Sequence, residues 1–166
     1  MRVEHDSLGA VNVPVEALWG AQTQRALENF PISQLRQSRD YIVTSALVKR
    51  AAAEVNVALG QLDAQRGQAI VDAATQIMDG RWHEQFVVDP FQAGAGTSHN
   101  MNTNEVIANL ANEALGGVRG VYSPVHPNDH VNLAQSTNDV IPTVLRIAAL
   151  IKTERLLPVL DGLTSA

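Results

Sequence analysis

Two polar stretches of the chain carry residue types that could bind a small anion. The first covers residues 91–105, "FQAGAGTSHNMNTNE", where a glycine-rich approach leads into neutral polar residues and Glu105 is the one charged residue. The second covers residues 135–142, "QSTNDVIP", where hydroxyl and amide groups precede an apolar helical pattern. A helix N-terminus presents unpaired N–H groups and the positive end of the helix dipole, so both stretches predict a carboxylate site.

Two such entrances in one domain would suit a ligand with two anionic groups, such as a small dicarboxylate. Ordinary helix capping explains part of each entrance. In the first, Asn102 and Glu105 have the spacing of a capping box, so we expect a helix to begin near Asn102. In the second, one of the polar residues at 136–139 caps the next helix, and Pro142 suits its first turn.

Other chemistries fit these residues less well. The stretch "GAGTSHN" lacks the third glycine of a dinucleotide fingerprint, and the chain has no GK[ST] phosphate loop. His126, Asp129 and His130 lie close together in "HPNDH", but their spacing matches no common zinc pattern. Cysteine is absent, which excludes thiolate chemistry. These features argue against a metal site, a dinucleotide fingerprint and a phosphate loop of the NTPase type.

Composition places the chain in a broad class. With 166 residues and 45% hydrophobic residues it can form one domain with a core, and its 4% aromatic content favours closely packed helices, so a mainly α fold is predicted. The net charge of −5 argues against nucleic acid or an anionic membrane surface as the partner. The start "MRVEHDSLG" lacks the apolar core of a signal peptide, and no apolar run approaches the ~20 residues of a membrane span. These features predict a cytoplasmic protein.

Apolar periodicity and turn residues predict the helices. They cover 38–60, 63–78, a segment from 102 that ends at the glycines 116 and 117, and a segment from 142 onward. Residues 1–35 and 81–101 are predicted to be irregular, with short extended pieces in "VNVPVEALWG" and "NFPIS". The final "VLRIAALIKTERLLPVLDGLTSA" is amphipathic and has nothing after it to pack against, so we expect partner helices from further chain or from other subunits.

At this point long motifs show a resemblance. The segments "GAGTSHNMNTNEVIAN" and "HPNDHVNLAQSTNDVIPT" are similar to the first two signature regions of the aspartase/class II fumarase superfamily, and "EHDSLGAVNVPVEALWGAQTQRALENFPIS" resembles its opening. The resemblance implies a mainly α homotetramer that adds or removes a small group across the double bond of fumarate without a cofactor. Because family chains are far longer, it also implies an N-terminal part, with 1–138 as the N-terminal domain and 139–166 as the start of the central helical bundle.

The resemblance further implies roles by position. One substrate carboxylate would be bound by Ala95, Gly96, Thr97 and Ser98, and the other carboxylate and the leaving group by Ser136, Thr137 and Asn138. A second, non-catalytic dicarboxylate site would be formed by His126, Asn128 and Asp129. The family's catalytic serine lies in a later region that resembles "SSxMPGKxN". That region is absent here, so we expect the isolated chain to be inactive.

The motifs divide between two members of the superfamily. "GAGTS", "NMNTNEV" and Thr137 resemble aspartate ammonia-lyases, whereas His126 and "ALWGAQTQRALENFPIS" are fumarase-like. Since the residues nearest the substrate should decide, aspartate ammonia-lyase is the preferred prediction and class II fumarase the alternative. Two other classes stay open, a non-catalytic folding or interaction unit and a nucleotide-binding module. Failure to bind a dicarboxylate would favour the former, and micromolar binding of ATP or NAD the latter.

Overall fold

The computed structural model describes residues 1–92 and 94–165, and this part of the chain is mainly helical, as predicted. Its strands are β1 (Arg2–Asp6) and β2 (Gly9–Val13), and its α-helices are α1 (Ala21–Asn29), α2 (Arg39–Ala58), α3 (Ala64–Met78), α4 (Thr97–Ala114) and α5 (Thr137–Thr164). A 3-10 turn at His83–Gln85 and a π-helical turn at Pro127–Val131 lie in the connections. No helix in the described ranges is long and apolar enough to cross a membrane.

Helices α2 and α3 have the predicted bounds because local capping signals set their starts. The Ser38 hydroxyl accepts a hydrogen bond from the Tyr41 N–H, and the Asp63 carboxylate accepts one from the Arg66 N–H at 3.0 Å. The two helices pack along each other. Small and branched aliphatic side chains, such as Ala46, Ala53, Ile70, Ala74, Ile77 and Ile107, fill the core between α2, α3 and α4.

Helix α4 is the central element of the fold. Every residue from His99 to Asn112 is buried, and the helix contacts α1, α3 and the π-helical turn. A helix buried on all sides must place its polar side chains against other parts of the protein. The polar composition of this segment therefore has a structural cause besides any ligand.

The first 35 residues are more ordered than predicted. Strands β1 and β2 form an antiparallel hairpin that pairs Arg2 with Val13 and Asp6 with Gly9, and helix α1 follows. The predicted extended piece "VNV" is part of β2, while β1 and α1 were missed. Helix α1 has only nine residues, and its N-cap, Gly20, has no side chain to form a cap. No local signal for its start therefore exists.

Helix α5 begins earlier than predicted. Ser136 is its N-cap and forms a capping box with Asp139, so Pro142 lies in the second turn and not in the first. Val140, Val144 and Ala148 are buried. From Lys152 to the end of the described helix every residue is exposed, including the apolar residues Leu156, Leu157, Val159, Leu160 and Leu163. From Lys152 onward the apolar residues of α5 therefore lack packing partners among the described residues, as the sequence indicates, although Arg155 forms an ion pair with Asp40 of α2.

Candidate dicarboxylate site

The two polar entrances lie next to each other. Gly96 is the N-cap of α4 and has a φ of +84°, a left-handed conformation that favours glycine. A Cβ atom at this position would lie 3.0 Å from the Ile141 side chain on α5. Glycine is therefore needed for both backbone conformation and space, and this close approach joins the start of α4 to the second turn of α5.

An open groove of about 580 Å³ lies between the entrances. It is lined by Gly94, Ala95 and Gly96 on one side, and by Asn138, Ile141, Pro142 and Leu145 on the other. The groove thus combines an apolar wall with the ends of two helices. Of the residues predicted to bind substrate, Ala95, Gly96 and Asn138 line it directly.

The remaining predicted residues occupy different positions. Thr97 is exposed as the first residue of α4, so its N–H belongs to the unpaired first turn. Ser98 instead lines a separate hollow with Gln22 and Arg25. Ser136 is engaged as the cap of α5, and its hydroxyl accepts from the Asn138 N–H at 3.2 Å. The structure therefore separates Ser98 from the groove.

Thr137, the neighbour of the groove residue Asn138, contacts a buried polar cluster that sequence reasoning missed. Its Oγ1 atom lies 3.3 Å from Nδ2 of Asn100, which donates to Oδ1 of Asn132 at 3.1 Å. The same Asn132 oxygen accepts from Nζ of Lys49 at 2.8 Å, and Nζ also donates to Oε1 of Gln135 at 3.0 Å. Lys49 is fully buried on α2.

A sequence signal for Lys49 exists. It lies in line with Ile42, Ala46 and Ala53, which are buried on the same face of α2 at helical spacing. A lysine in such a row is a buried charge that needs hydrogen-bond partners from elsewhere. The pattern reveals the burial, but the partners follow α4 in the chain and become neighbours only in the fold.

The predicted capping box at Asn102 and Glu105 is wrong, because α4 begins five residues earlier. The Asn102 side chain accepts from the Val87 N–H and donates to the Gln85 carbonyl, both at 3.0 Å. The Glu105 carboxylate accepts hydrogen bonds from the backbone N–H groups of Gly20, Gln22 and Thr23 at 2.9–3.1 Å. It therefore caps the start of α1, although Thr23 of that helix lies 82 residues before Glu105 in the sequence.

Burial of Glu105 raises its pKa, and the hydrogen bonds from the start of α1 oppose that rise.

Two further asparagines of α4 bind loop backbone groups, as Asn102 does. Asn109 donates to the Leu18 carbonyl at 2.8 Å and accepts from the Gly120 N–H at 2.7 Å. Asn112 pairs with both backbone groups of Val125 at 2.7 Å. Much of the polar run therefore satisfies backbone groups of buried loops.

The predicted second dicarboxylate site is partly assembled. His126 and Asn128 line a hollow of about 300 Å³ together with His5, Gln22 and Tyr122, but Asp129 is not among its lining residues. Nδ1 of His126 accepts from the N–H groups of Asn128 and Asp129 at 3.3 Å. Nδ1 of His130 accepts from the His126 N–H at 2.8 Å. Both imidazoles thus stabilise the π-helical turn.

The fold and these motifs define a class of lyase. A family model described as "Lyase" matches residues 9–166. The chain belongs to this family, the aspartase/class II fumarase superfamily. It is 52% identical over 163 residues to class II fumarate hydratase of Xylella fastidiosa and 51% identical over 150 residues to aspartate ammonia-lyase of a Bacillus species.

Solved structures agree with this assignment. A fumarate lyase:delta crystallin from Brucella melitensis, bound to cobalt, matches 96% of the chain with a TM-score of 0.94 and 50% identity. A class II fumarase from Schistosoma mansoni matches 89% with a TM-score of 0.85 and 40% identity. The alignments cover 98% and 90% of this chain for the Xylella and Bacillus enzymes but 33% and 32% of those relatives. The chain therefore spans about a third of the length of the relatives that it matches.

Proposed function

We propose that the chain supplies a dicarboxylate-binding groove to a fumarate-forming lyase of the relatives' length. The observation that carries the proposal is the meeting of two helix N-termini at one groove, which is lined by residues 94–96 on one side and by Asn138 and Ile141 on the other. Helix N-termini attract carboxylates through free N–H groups and the dipole. Two of them in contact suit the two ends of a four-carbon diacid.

In this proposal the groove binds substrate and stabilises charge, while the base comes from outside these 166 residues. Removal of a proton β to the leaving group places negative charge on the adjacent carboxylate as an aci-carboxylate. Hydrogen-bond donors that are fixed before the reaction stabilise this charge more than the ground state, and so lower the barrier. Thr97 and Thr137 supply hydroxyl donors, and Asn138 an amide donor. In a homotetramer whose active sites are built from several subunits, another part of the protein would supply the base.

For the reaction itself, reversible hydration of fumarate to malate is the first candidate. The Xylella, Brucella and Halobacterium relatives at 48–55% identity carry the name class II fumarate hydratase. The preference for aspartate ammonia-lyase drawn from "GAGTS" and Thr137 therefore moves to second place. It is kept because the Bacillus relative of that name is equally similar, at 51% identity.

We also propose a secondary dicarboxylate site at the π-helical turn, formed by His126 and Asn128. Their positions on one hollow support it. Asp129 contributes by holding the turn, since its backbone N–H donates to Nδ1 of His126 at 3.3 Å. Succinate binding that survives loss of the main groove but not His126→Ala would support this second site.

Threonine variants in the lyase that contains this chain test the main groove. Thr97→Val and Thr137→Val each remove a donor but keep the side-chain shape. Losing a hydrogen bond to a charged group costs ~1.5–3 kcal/mol, so kcat/KM for fumarate should fall about tenfold to a hundredfold. Thr137→Ser should retain activity because it keeps the hydroxyl. Thr153→Val is the matched control, since among the described residues the Thr153 hydroxyl donates to the Ala149 carbonyl of its own helix and to no other group.

The same variants separate the competing hypotheses. If the two threonines serve only the local structure of the helix starts, Thr97→Val and Thr137→Val will lower the melting temperature and leave kcat/KM near normal. Assays with malate and with aspartate then identify the physiological reaction. A lyase that turns over neither substrate and binds no succinate would leave the chain as a folding or interaction unit and would overturn the proposal.

A further inference from the structure

Lys49 is a buried cation whose observed partners are neutral. Its side chain is 0% exposed, and Nζ donates to the side-chain oxygens of Asn132 and Gln135 at 2.8 and 3.0 Å. Within the described ranges no carboxylate forms an ion pair with it. A buried charge without a counter-charge is destabilising, so its presence needs an explanation beyond packing.

The two hydrogen-bond partners of Lys49 lie in the loop that leads into α5. Gln135 immediately precedes Ser136, the cap of that helix. Asn132 accepts through Oδ1 from Lys49 and Asn100, and Nδ2 of Asn100 lies 3.3 Å from the Thr137 hydroxyl. A continuous set of hydrogen bonds therefore runs from the ammonium to Thr137, the neighbour of the groove residue Asn138.

The cluster also has unused acceptors. Oδ1 of Asn100 and Oδ1 of Asn104 are buried and have no hydrogen-bond partner. Both amides direct their donor groups at Asn132. Each buried acceptor without a donor costs free energy, so the arrangement is not the most stable one for an unliganded core. It concentrates two amide donors and the ammonium of Lys49 on one oxygen, Oδ1 of Asn132.

We propose that Lys49 is a positioning residue for the dicarboxylate groove, where its ammonium holds Asn132 and Gln135 under the α5 entrance and acts as the counter-charge of a bound dianion. This inference rests on the proposed function. Lys49 does not touch the ligand in this arrangement. It acts through Asn132, Asn100 and Thr137, and through the field of its charge in a poorly hydrated interior.

Burial gives this role a pH dependence, because it lowers the pKa of Lys49 to about 7. The helices around Lys49 carry further charged and titratable side chains, namely Arg39, Asp40, Tyr41, Arg50 and Glu54 on α2, Arg66 and Asp72 on α3, His99, Glu105 and Glu113 on α4, Asp129 and His130 on the π-helical turn, and Asp139, Arg146, Lys152, Glu154, Arg155 and Asp161 on α5. None of these forms a hydrogen bond to Nζ. The ammonium is present below neutral pH and is lost as pH rises.

A dianion in the groove should raise the pKa of Lys49 by favouring the charged form. By linkage, the affinity for a dicarboxylate is highest below pH 7 and falls as pH rises through the pKa of the free protein. A rise of one pKa unit on binding corresponds to about a tenfold difference in affinity between the protonated and deprotonated forms.

The experiment uses succinate, a dicarboxylate without a reacting double bond, and the 166-residue chain labelled with 15N and 13C. NMR follows the Lys49 Cε signal, the Asn100 side-chain amide and the Thr137 amide from pH 6 to pH 9, first without ligand and then with succinate. Lys49→Met removes the charge but keeps the side-chain length. Lys152→Met is the matched control, because Lys152 is the other lysine and is exposed on α5.

The expected result has two parts. Without ligand, Asn100 and Thr137 shift with the same midpoint as Lys49, and Lys49→Met abolishes that shift while Lys152→Met does not. With ligand, the affinity for succinate falls about tenfold from pH 6 to pH 9 in the parent chain and in Lys152→Met. In Lys49→Met the affinity is low and does not change over this pH range.

Each other result overturns the inference in a distinguishable way. If Asn100 and Thr137 ignore the ionisation of Lys49, the positioning role is wrong whether or not succinate binds. If they respond but Lys49→Met binds succinate as tightly as the parent chain, the groove stands and the counter-charge role is wrong. Absence of succinate binding in all three proteins removes the proposed groove and this inference with it. A Lys49→Met chain with a collapsed amide spectrum is replaced by Asn132→Ala, for which the same loss of coupling is expected.

Discussion

Single buried side chains determine much of the behaviour of this chain. His99 on α4 is buried, its Nε2 atom lies 2.7 Å from Nε2 of Gln37, and its ring meets Tyr41 edge-on. Because Gln37 Nε2 can only donate, the imidazole nitrogen opposite it acts as an acceptor and the ring is neutral. Burial lowers the pKa of His99 to about 4.

This depressed pKa predicts how stability depends on pH. An unfolded histidine has a pKa near ~6.5, so between pH 4 and pH 6.5 the unfolded state binds the proton more readily. The contribution of neutral His99 to the free energy of unfolding is therefore fully present above pH 6.5. It is lost, by up to ~1.4 kcal/mol per pH unit, as pH falls toward 4. Urea unfolding from pH 4.5 to pH 7 should show this slope in the parent chain and a smaller one in His99→Gln. His5→Gln, at an exposed position, should keep the parent slope.

Asn102 allows a second test at the scale of one residue. Replacing it with alanine leaves the Val87 N–H and the Gln85 carbonyl buried without partners, which should cost ~2–4 kcal/mol. The capping box expected from the sequence predicts a loss of only ~1 kcal/mol. Denaturant unfolding decides between these values, and Asn12→Ala on the exposed side of β2 serves as the control. A loss no larger than that of the control would contradict the structural role.

At the scale of elements, the sequence predicted helices where the signal is local. Ser38 and Asp63 cap α2 and α3, and glycines end both α3 and α4, so these bounds follow from neighbouring residues. Helix α1 was missed because its cap, Glu105, lies far along the chain. The start of α4 was misplaced because glycine at its N-cap supplies no side chain, while Asn102 and Glu105 imitate a cap.

The candidate site was predictable to the same extent. The two donor-rich segments could be located from composition, and their resemblance to a known family gave the ligand class. Their contact through Gly96 and Ile141 depends on how α4 meets α5, which no local pattern specifies. Ser98 was assigned to the groove by its position in the motif, but the first turn of α4 directs it to another hollow.

At the scale of the whole molecule, helix α5 has an uncovered apolar surface among the described residues. Leu156 and Leu160 are more than 40% exposed and lie one turn apart on α5. Exposed apolar surface of this kind favours association, so the parent chain should self-associate at high concentration. Sedimentation velocity should show a shift toward monomer in the double variant Leu156→Glu, Leu160→Glu. Val121→Glu, at an exposed valine outside α5, should leave association unchanged.

A strictly monomeric parent chain would contradict this expectation, above all if residues 145–160 are strongly protected from hydrogen exchange. Protection would then arise within the chain, and the exposed face would be stable in water. Partial protection that increases with concentration is the expected result, because burial would come from other copies.

The hydrogen bonds of α4 also set an order of events during synthesis on the ribosome. The Leu18 carbonyl pairs with Asn109, 91 residues later, and the start of α1 pairs with Glu105. At ~5–20 residues per second, the N-terminal segment waits on the order of 5–20 s before its partners are made. The strands of the hairpin β1–β2 pair with each other and can meet early, although the buried Glu4 of β1 receives the Tyr122 hydroxyl only later. Helix α1 is too short to persist alone and must stay unfolded until α4 emerges, so α1 is made before α2, α3 and α4 but reaches its native structure only with α4.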